Sequence, residues 1–337
     1  MRDLVINQQV VENLKYMSFG ELNSDENFYV IWRKGGGAGF FSNVFHVLGH
    51  IMIAKTLKMT PVVDMENFPN FYQEKQKVNN TYNVWEYYFK QPSAYSLEDI
   101  YKSKNVYFCN GEFNHQVYKT EDMNIIRSII KEDLNLNDFT LNKFVEYKKQ
   151  LFENADILAV HFRGQDMKSA IEHPTPPNFK QIKNKIDFVI KKYNVDKIFV
   201  ATDEQDYLTK LIDLYPNKII YTQAFRNNYF YQNNPCQGML HLKEDTRNLS
   251  KYNLGLDVLL DCYLLAQADY FIASGKDGVA SGSNVSYFAQ CLSDNFKDFY
   301  YIYNGMNKKQ QINKFLKIVA CFIPFKKLRR KIRNIKI

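Results

Sequence analysis

Three stretches of this chain end an apolar run in a cluster of polar side chains. "LAVHFRGQDMK" closes on His161, Arg163 and Asp166, and "FVATDEQD" closes on Thr202 and Asp203. "FIASGKDGVASGSNVS" supplies Ser274, Ser281, Ser283, Asn284 and Ser286, with Gly275, Gly278 and Gly282 freeing the backbone between them. A helix starting near Asn284 would aim its N–H groups and dipole at an anion, as a phosphate site requires. Arg163 could fork onto the same phosphates through its planar guanidinium. Each cluster alone is commonplace, since an Arg–Asp pair at a strand end is ordinarily structural. Three on successive strand ends point to a phosphate-bearing ligand.

A fourth candidate lies near the start, in "IWRKGGGAGFFSNVFHVLGH". Strand, glycine turn, helix, strand and then Asp64 is the order of a dinucleotide fingerprint. The turn fits G-x-G-x-x-G only as Gly37, Gly39 and Ser42, with the bulky Phe40 and Phe41 beside the pyrophosphate. His46 and His50 are spaced as a helical metal pair but lack the HExxH glutamate and a third ligand, so no metal is expected there. Asp257 and Asp261 share a helix face, and the apolar neighbours of Asp261 favour burial near a ligand.

These residues need rigid elements behind them. "FYVIW", "PVVD" and "NVYFC" read as strands around the helix "SNVFHVLGHIMIAKTLK", and helical patterns fill residues 121–154. From "ADILAVHF" onward, strands alternate with amphipathic helices through "KIFVATD", "KIIYT" and "DYFIAS". That rhythm predicts βαβ units and parallel sheets. The fold class expected is α/β, with two Rossmann-like lobes whose parallel sheets face a cleft. The divisions expected are residues 1–150, 151–310 and a tail, 311–337.

Composition narrows the function. Of the chain's 337 residues, 45% are hydrophobic and 24% charged, a globular balance. The net charge of +8 is local: from Phe299 onward there are 11 Lys and Arg and no Asp or Glu, leaving a net of −3 before it. A nucleic-acid protein would spread its basic residues along the folded body, so none is expected as partner. Five scattered cysteines suggest a reducing compartment, with Cys262 and Cys291 as small core hydrophobes. The tail "NKFLKIVACFIPFKKLRRKIRNIKI" pairs apolar with basic residues and suggests an interfacial segment on an anionic inner-leaflet surface. A cytoplasmic, peripherally membrane-associated protein is expected.

The three clusters together resemble a known family. "VHFRGQD" is similar to the His-x-Arg-x-x-Asp motif of the bacterial nodulation and animal core α1,6-fucosyltransferases. "IFVATDEQDYLTKLIDLYP" and "LLDCYLLAQADYFIASGKDGVASGSNVSYFA" resemble their second and third motifs, over roughly residues 30–292 in all. The resemblance implies a GT-B glycosyltransferase using a GDP-sugar, typically GDP-fucose, as co-substrate without a metal or other cofactor. It implies that His161 and Asp261 meet the base and Arg163 the diphosphate. Asp166 and Asp203 would be the motif acids, with Ser281, Ser283 and Asn284 in the phosphate loop. Gly37 and Gly39 would bring the first lobe's backbone to the donor, with Asn43 and His46 facing it. Glu172 is nearest the family's base for an acceptor hydroxyl, though a solvated loop acid before "HPTPP" explains it equally. The chain departs from the motif at Gly164, where a second Arg is expected, and at Met167, which shifts Lys168 by one. A glycan or lipid-linked glycan acceptor in bacterial surface polysaccharide or lipooligosaccharide synthesis is expected. A dinucleotide oxidoreductase and an inactive sugar-binding relative remain as alternatives.

Overall fold

The computed structural model describes residues 12–33, 39–109, 123–163, 175–226, 250–276, 279–280, 282–305, 311–312 and 315. The chain divides into two units, Met1–Gln150 with His241–Tyr263, and Leu151–Leu240 with Leu264–Ile337. The class is α/β. The first unit carries a four-stranded sheet in the order Leu14–Met17 (β1), Val106–Cys109 (β4), Phe28–Ile31 (β2), Thr60–Val63 (β3). β2 is buried at all four positions and runs parallel to both neighbours, which is why it reads as an unbroken apolar run. β1 pairs antiparallel with β4 at the edge and is only half-buried. That short edge strand carries no periodic signal, and the sequence pattern does not predict it.

Helix Phe40–Thr56 (α1) follows the glycine turn and is buried almost all round. A helix without a polar face belongs in a core. One helical turn at Leu97–Ile100 (α2) is closed by a Ser96/Asp99 capping box. The helical stretch expected over 121–154 is two helices, Met123–Asp133 (α3) and Asp138–Phe152 (α4). Between them the backbone leaves the helix to bond outward: Lys90 N donates to Asn135 O, and Asn137 N to Tyr88 O.

The second unit holds five parallel strands in the order Ile219–Ile220 (β7), Lys197–Thr202 (β6), Ile157–Phe162 (β5), Tyr270–Ser274 (β8), Asp298–Ile302 (β9). Helices Phe179–Tyr193 (α5) and Gln205–Leu214 (α6) follow β5 and β6. α5 buries Ile182, Ile186 and Val189, one stripe at helical spacing, against Leu158, Val160 and Ile272 of the sheet. An Asn178/Gln181 capping box starts α5, and Asn194 ends it in the left-handed conformation at φ 50°. Lys251–Leu265 (α7) precedes β8, and Asn284–Leu292 (α8) lies between β8 and β9. The start of α7 is tied into the first unit: Glu74 Oε1 accepts from Ser250 Oγ (2.7 Å) and Tyr252 N (2.9 Å). The Tyr252 ring also stacks on Tyr88 with centroids 5.4 Å apart.

Numbered along the second unit, the strand order is 3-2-1-4-5, the doubly wound order. Connections from β5 and β8 leave toward opposite sides, so the gap between these two strand ends is where such sheets bind ligands. β9 is the strand that sequence patterning misses, because "DFYYI" buries only Ile302 fully. Cys262 and Cys291 are buried at 0% and 1% exposure. Among the described residues no helix is long and apolar enough to cross a membrane, and no cluster of His, Cys, Asp or Glu is arranged to hold a metal ion. The tail expectation lies outside the described residues except for Gln311, Ile312 and Phe315.

Candidate functional site

A pocket opens at the switch point of the second sheet. His161 and Arg163 reach it from the end of β5, Ser274 and Gly275 from β8, and Ile302, Tyr303 and Asn304 from β9. Gly282, Ser283 and Ser286 enter around the first turn of α8, and Thr175 and Pro176 from the approach to α5. Among these described residues Arg163 alone carries a charge near neutral pH. The described lining is therefore a hydroxyl-rich cradle with one guanidinium, suited to an anion attached to a polar body.

His161 is 8% exposed, and its Nδ1 lies 2.5 Å from Ser286 Oγ. Burial, and then the charge of Arg163, push its pKa down to about 3, so the imidazole is neutral at working pH. It can exchange hydrogen bonds with a ligand but adds no charge. Ser283 caps α8, its Oγ accepting from Val285 N at 3.2 Å, and Asn284 opens the helix half-buried beside it.

The loop joining β8 to α8 is held at several points. Gly275 N donates to Ile302 O (3.2 Å) and Gly282 N to Ser274 O (3.0 Å). Lys276 and Val279 exchange backbone hydrogen bonds at 2.9 and 3.0 Å. Gln290 grips the far side, Oε1 accepting from Ala280 N (2.9 Å) while Nε2 donates to Tyr301 Oη (2.8 Å). A Cβ at Gly282 would overlap Ser274, and one at Gly275 would overlap the Val279 carbonyl. Glycine is required at both positions by this close return of the backbone.

Thr202 and Asp203 stand at the end of β6, one strand from β5, with Thr202 paired to Phe162. Thr202 is buried and its Oγ1 accepts from Glu204 N (3.2 Å), while Asp203 is half-buried. Neither is among the pocket's lining residues. Asp261 sits on α7 at 8% exposure, within the stretch that belongs to the first unit. Asp166, Glu172, Ser281 and Gly37 lie outside the described residues. The pocket residues that sequence reasoning missed are Thr175, Pro176, Ile302, Tyr303 and Asn304. Three of these sit at the end of the unread strand β9; the apolar and aromatic run "FYYIYNG" was the available signal.

In the first unit, Gly39 is the N-cap residue of α1 with extended backbone, and no side chain caps the helix. Asn43 is buried with Oδ1 accepting from Arg33 Nη1 at 2.8 Å, and Ser42 Oγ accepts from the same nitrogen at 3.3 Å. His46 is 5% exposed, its Nε2 donating to Trp32 O (2.9 Å), and His50 Nδ1 bonds Tyr29 Oη (2.8 Å). Both histidines are held by core partners. Asp64 is fully buried, and its carboxylate accepts from Glu66 N, Asn67 N, Asn67 Nδ2 and Tyr101 Oη at 2.5–3.1 Å. A ribose-reading acid has to face its ligand. Asp64 is committed to closing the turn after β3.

The fold and site together define an α/β protein of two units, the first with a mixed sheet and the second with a parallel sheet that carries a polar pocket at its switch point. No protein-family model matches the chain, and no curated protein matches it. Among solved structures it is similar to NodZ α-1,6-fucosyltransferase co-crystallised with GDP, at 16% identity over 80% of this chain and 93% of that one, TM-score 0.48. It is also similar to fucosyltransferase NodZ from Bradyrhizobium, at 15% identity over 80% and 94%, TM-score 0.46. A third likeness is to POFUT1 in complex with GDP-fucose, at 12% identity over 86% and 100%, TM-score 0.47. These are likenesses of outline, and the site described above rests on its own geometry.

Proposed function

We propose that this protein is a GT-B glycosyltransferase that moves a sugar, L-fucose or a related one, from a GDP-sugar to a glycan acceptor. The observation that carries this reading is the convergence of His161, Arg163, Ser283 and Ser286 on one pocket at the sheet's switch point. Breaking a sugar–diphosphate bond leaves negative charge on the departing oxygen, and the transition state is stabilised by donors already aimed at it. Arg163 and the N–H groups at the start of α8 fit that task without a metal ion. Glu172 would take the proton of the acceptor hydroxyl, giving inversion at the anomeric carbon. The tail, 311–337, would hold the enzyme against the anionic inner face of the plasma membrane, where a lipid-linked acceptor for surface polysaccharide or lipooligosaccharide would be found.

A thermal-shift series with GDP, UDP, CMP, dTDP, NAD and their common sugars tests the reading. GDP should stabilise the protein most, with or without EDTA, by about 2.7 kcal/mol at a hundred times its Kd. A larger shift with UDP or NAD, or loss of the GDP shift in EDTA, would overturn it.

A further inference from the structure

The run that closes the second sheet, "FYYIY", is aromatic at every position but Ile302. Three of its four rings are committed to the protein. Phe299 packs on Phe271 and Phe296, with centroids 4.8 and 5.6 Å away. Tyr300 Oη donates to Asp298 Oδ2 (2.7 Å). Tyr301 Oη accepts from Gln290 Nε2 (2.8 Å), and its ring stacks on Phe299 at 4.4 Å. Tyr303 differs. Ile302 before it pairs with Ser274 at the end of β8, so Tyr303 leaves the sheet where the pocket opens. Among the described residues its hydroxyl makes no hydrogen bond and its ring meets no other aromatic ring, and the residue is 47% exposed. Lys276 Nζ stands over one face, 5.6 Å from the centroid, which leaves the other face for a ligand.

The described lining has two unlike sides. Around the switch point it presents Arg163, Ser274, Ser283 and Ser286, a guanidinium and hydroxyls fit for phosphate oxygens. Toward β9 it presents the Tyr303 ring with Ile302 and Pro176, both buried. Asn304 belongs to this side, but its amide is engaged within the protein: Oδ1 accepts from Gln181 Nε2 (2.6 Å) and Nδ2 donates to Pro176 O (3.1 Å). A sugar ring asks for donors and acceptors all round its edge. A nucleobase asks for a flat surface across its face.

We propose that Tyr303 is the platform on which the ligand's nucleobase stacks, with the base toward β9 and the diphosphate toward β5 and β8. This rests on the nucleotide-sugar reading above. A tyrosine ring offers a large planar contact with only two side-chain torsions to fix. Held by its face, the base keeps its edge free for hydrogen bonds, which the neutral His161 in the same pocket can exchange. Stacking tolerates any base, so Tyr303 separates nucleotides from other phosphates while edge contacts choose among nucleotides.

Calorimetric titration of GMP, GDP, UDP and inorganic pyrophosphate into the full chain and its Tyr303→Ala and Tyr303→Phe variants tests this. Tyr303→Ala should weaken GMP and GDP by a common factor of roughly five- to a hundredfold, the scale of one base–aromatic stack. Pyrophosphate should change by less than about twofold, and Tyr303→Phe should bind GMP and GDP within about twofold of the parent, because the ring and not the hydroxyl carries the stack. Circular dichroism melts of both variants should match the parent's, since the residue is half exposed. Unchanged GMP and GDP in Tyr303→Ala would overturn the platform and leave the nucleotide reading intact. So would pyrophosphate weakened as much as GDP, or a Tyr303→Phe loss as large as that of Tyr303→Ala. If the parent preferred UDP and Tyr303→Ala weakened it alike, the GDP reading would fall and the platform would stand. A parent that bound pyrophosphate alone, or none of the four probes, would remove both.

Discussion

His161 Nδ1 stands 2.5 Å from Ser286 Oγ, joining residues 125 positions apart in the chain. The bond fastens the end of a central strand to the first turn of α8, so the imidazole and the helix's leading N–H groups are positioned as one piece. Both partners are buried, Ser286 completely. Removing the hydroxyl leaves a buried ring nitrogen without its partner, a loss of about 1–3 kcal/mol. Ser286→Ala should therefore lower the unfolding free energy read from urea melts by that amount and weaken GDP binding severalfold. Unchanged stability and binding would show that the contact neither stabilises the fold nor orients the pocket.

The same histidine makes an acid-stability prediction with a definite sign. Its folded pKa of about 3 lies well below the ordinary value near 6.5, so between these the unfolded chain binds the extra proton. Its contribution is fully present above about pH 6.5 and is lost as the pH falls toward 3. Asp298 acts in a lower window. Its carboxylate accepts from Tyr193 Oη (2.6 Å) and Tyr300 Oη (2.7 Å), and these bonds, with Lys192 nearby, hold its pKa at about 2. Its contribution persists down to about pH 4 and fades toward 2. Chemical melts of His161→Gln should lose the slope between pH 6 and about 4, and those of Asp298→Asn only the steeper fall below about pH 4. A His161→Gln slope identical to the parent's would contradict the buried, neutral imidazole.

Arg163→Lys retains the charge but not the paired hydrogen-bond fork. Transfer should fall by a factor of about 10² to 10³, comparable to losing a main oxyanion donor, with the melting temperature unchanged. Near-parental turnover would place the diphosphate elsewhere.

Gly282→Ala pushes a methyl group into Ser274 at the base of the loop joining β8 to α8. Overpacking of this kind costs about 1–3 kcal/mol and would displace the turn that carries Ser283 into the pocket. GDP affinity should fall more than stability does, as read by titration beside urea melts. A variant binding GDP as well as the parent would mean that the loop geometry is not needed for the ligand.

Removing residues 311–337 tests the proposed tether. Vesicles containing anionic lipid should retain the full chain at low salt and release it as ionic strength rises, since surface charges are screened beyond about 8–10 Å at physiological salt. The truncated chain should not sediment with vesicles, yet should keep its circular dichroism and its GDP shift. Loss of folded structure, or vesicle binding equal to the parent's, would remove the tether.

The sequence by itself determined the α/β class, because buried parallel strands must be apolar on both faces and the helices between them on only one. "ADILAVHF" and "KIFVATD" announce β5 and β6, and Ile182, Ile186 and Val189 announce the inward stripe of α5. It also placed His161, Arg163, Ser283 and Asn284 at strand or helix ends, where side chains leave the core. It did not show β1 and β9, whose edge positions relax the demand for burial that makes a strand readable. Only the tertiary structure decided that Tyr303 and Asn304 share a pocket with Arg163, since that depends on β9 closing beside β8. Only it decided the role of Asp64, too. A carboxylate after a strand can face either a ligand or the protein. Here Asp64 is taken up by Tyr101 and the Glu66–Asn67 turn. The bond from Tyr101, 37 residues further along the chain, leaves no local trace beside Asp64.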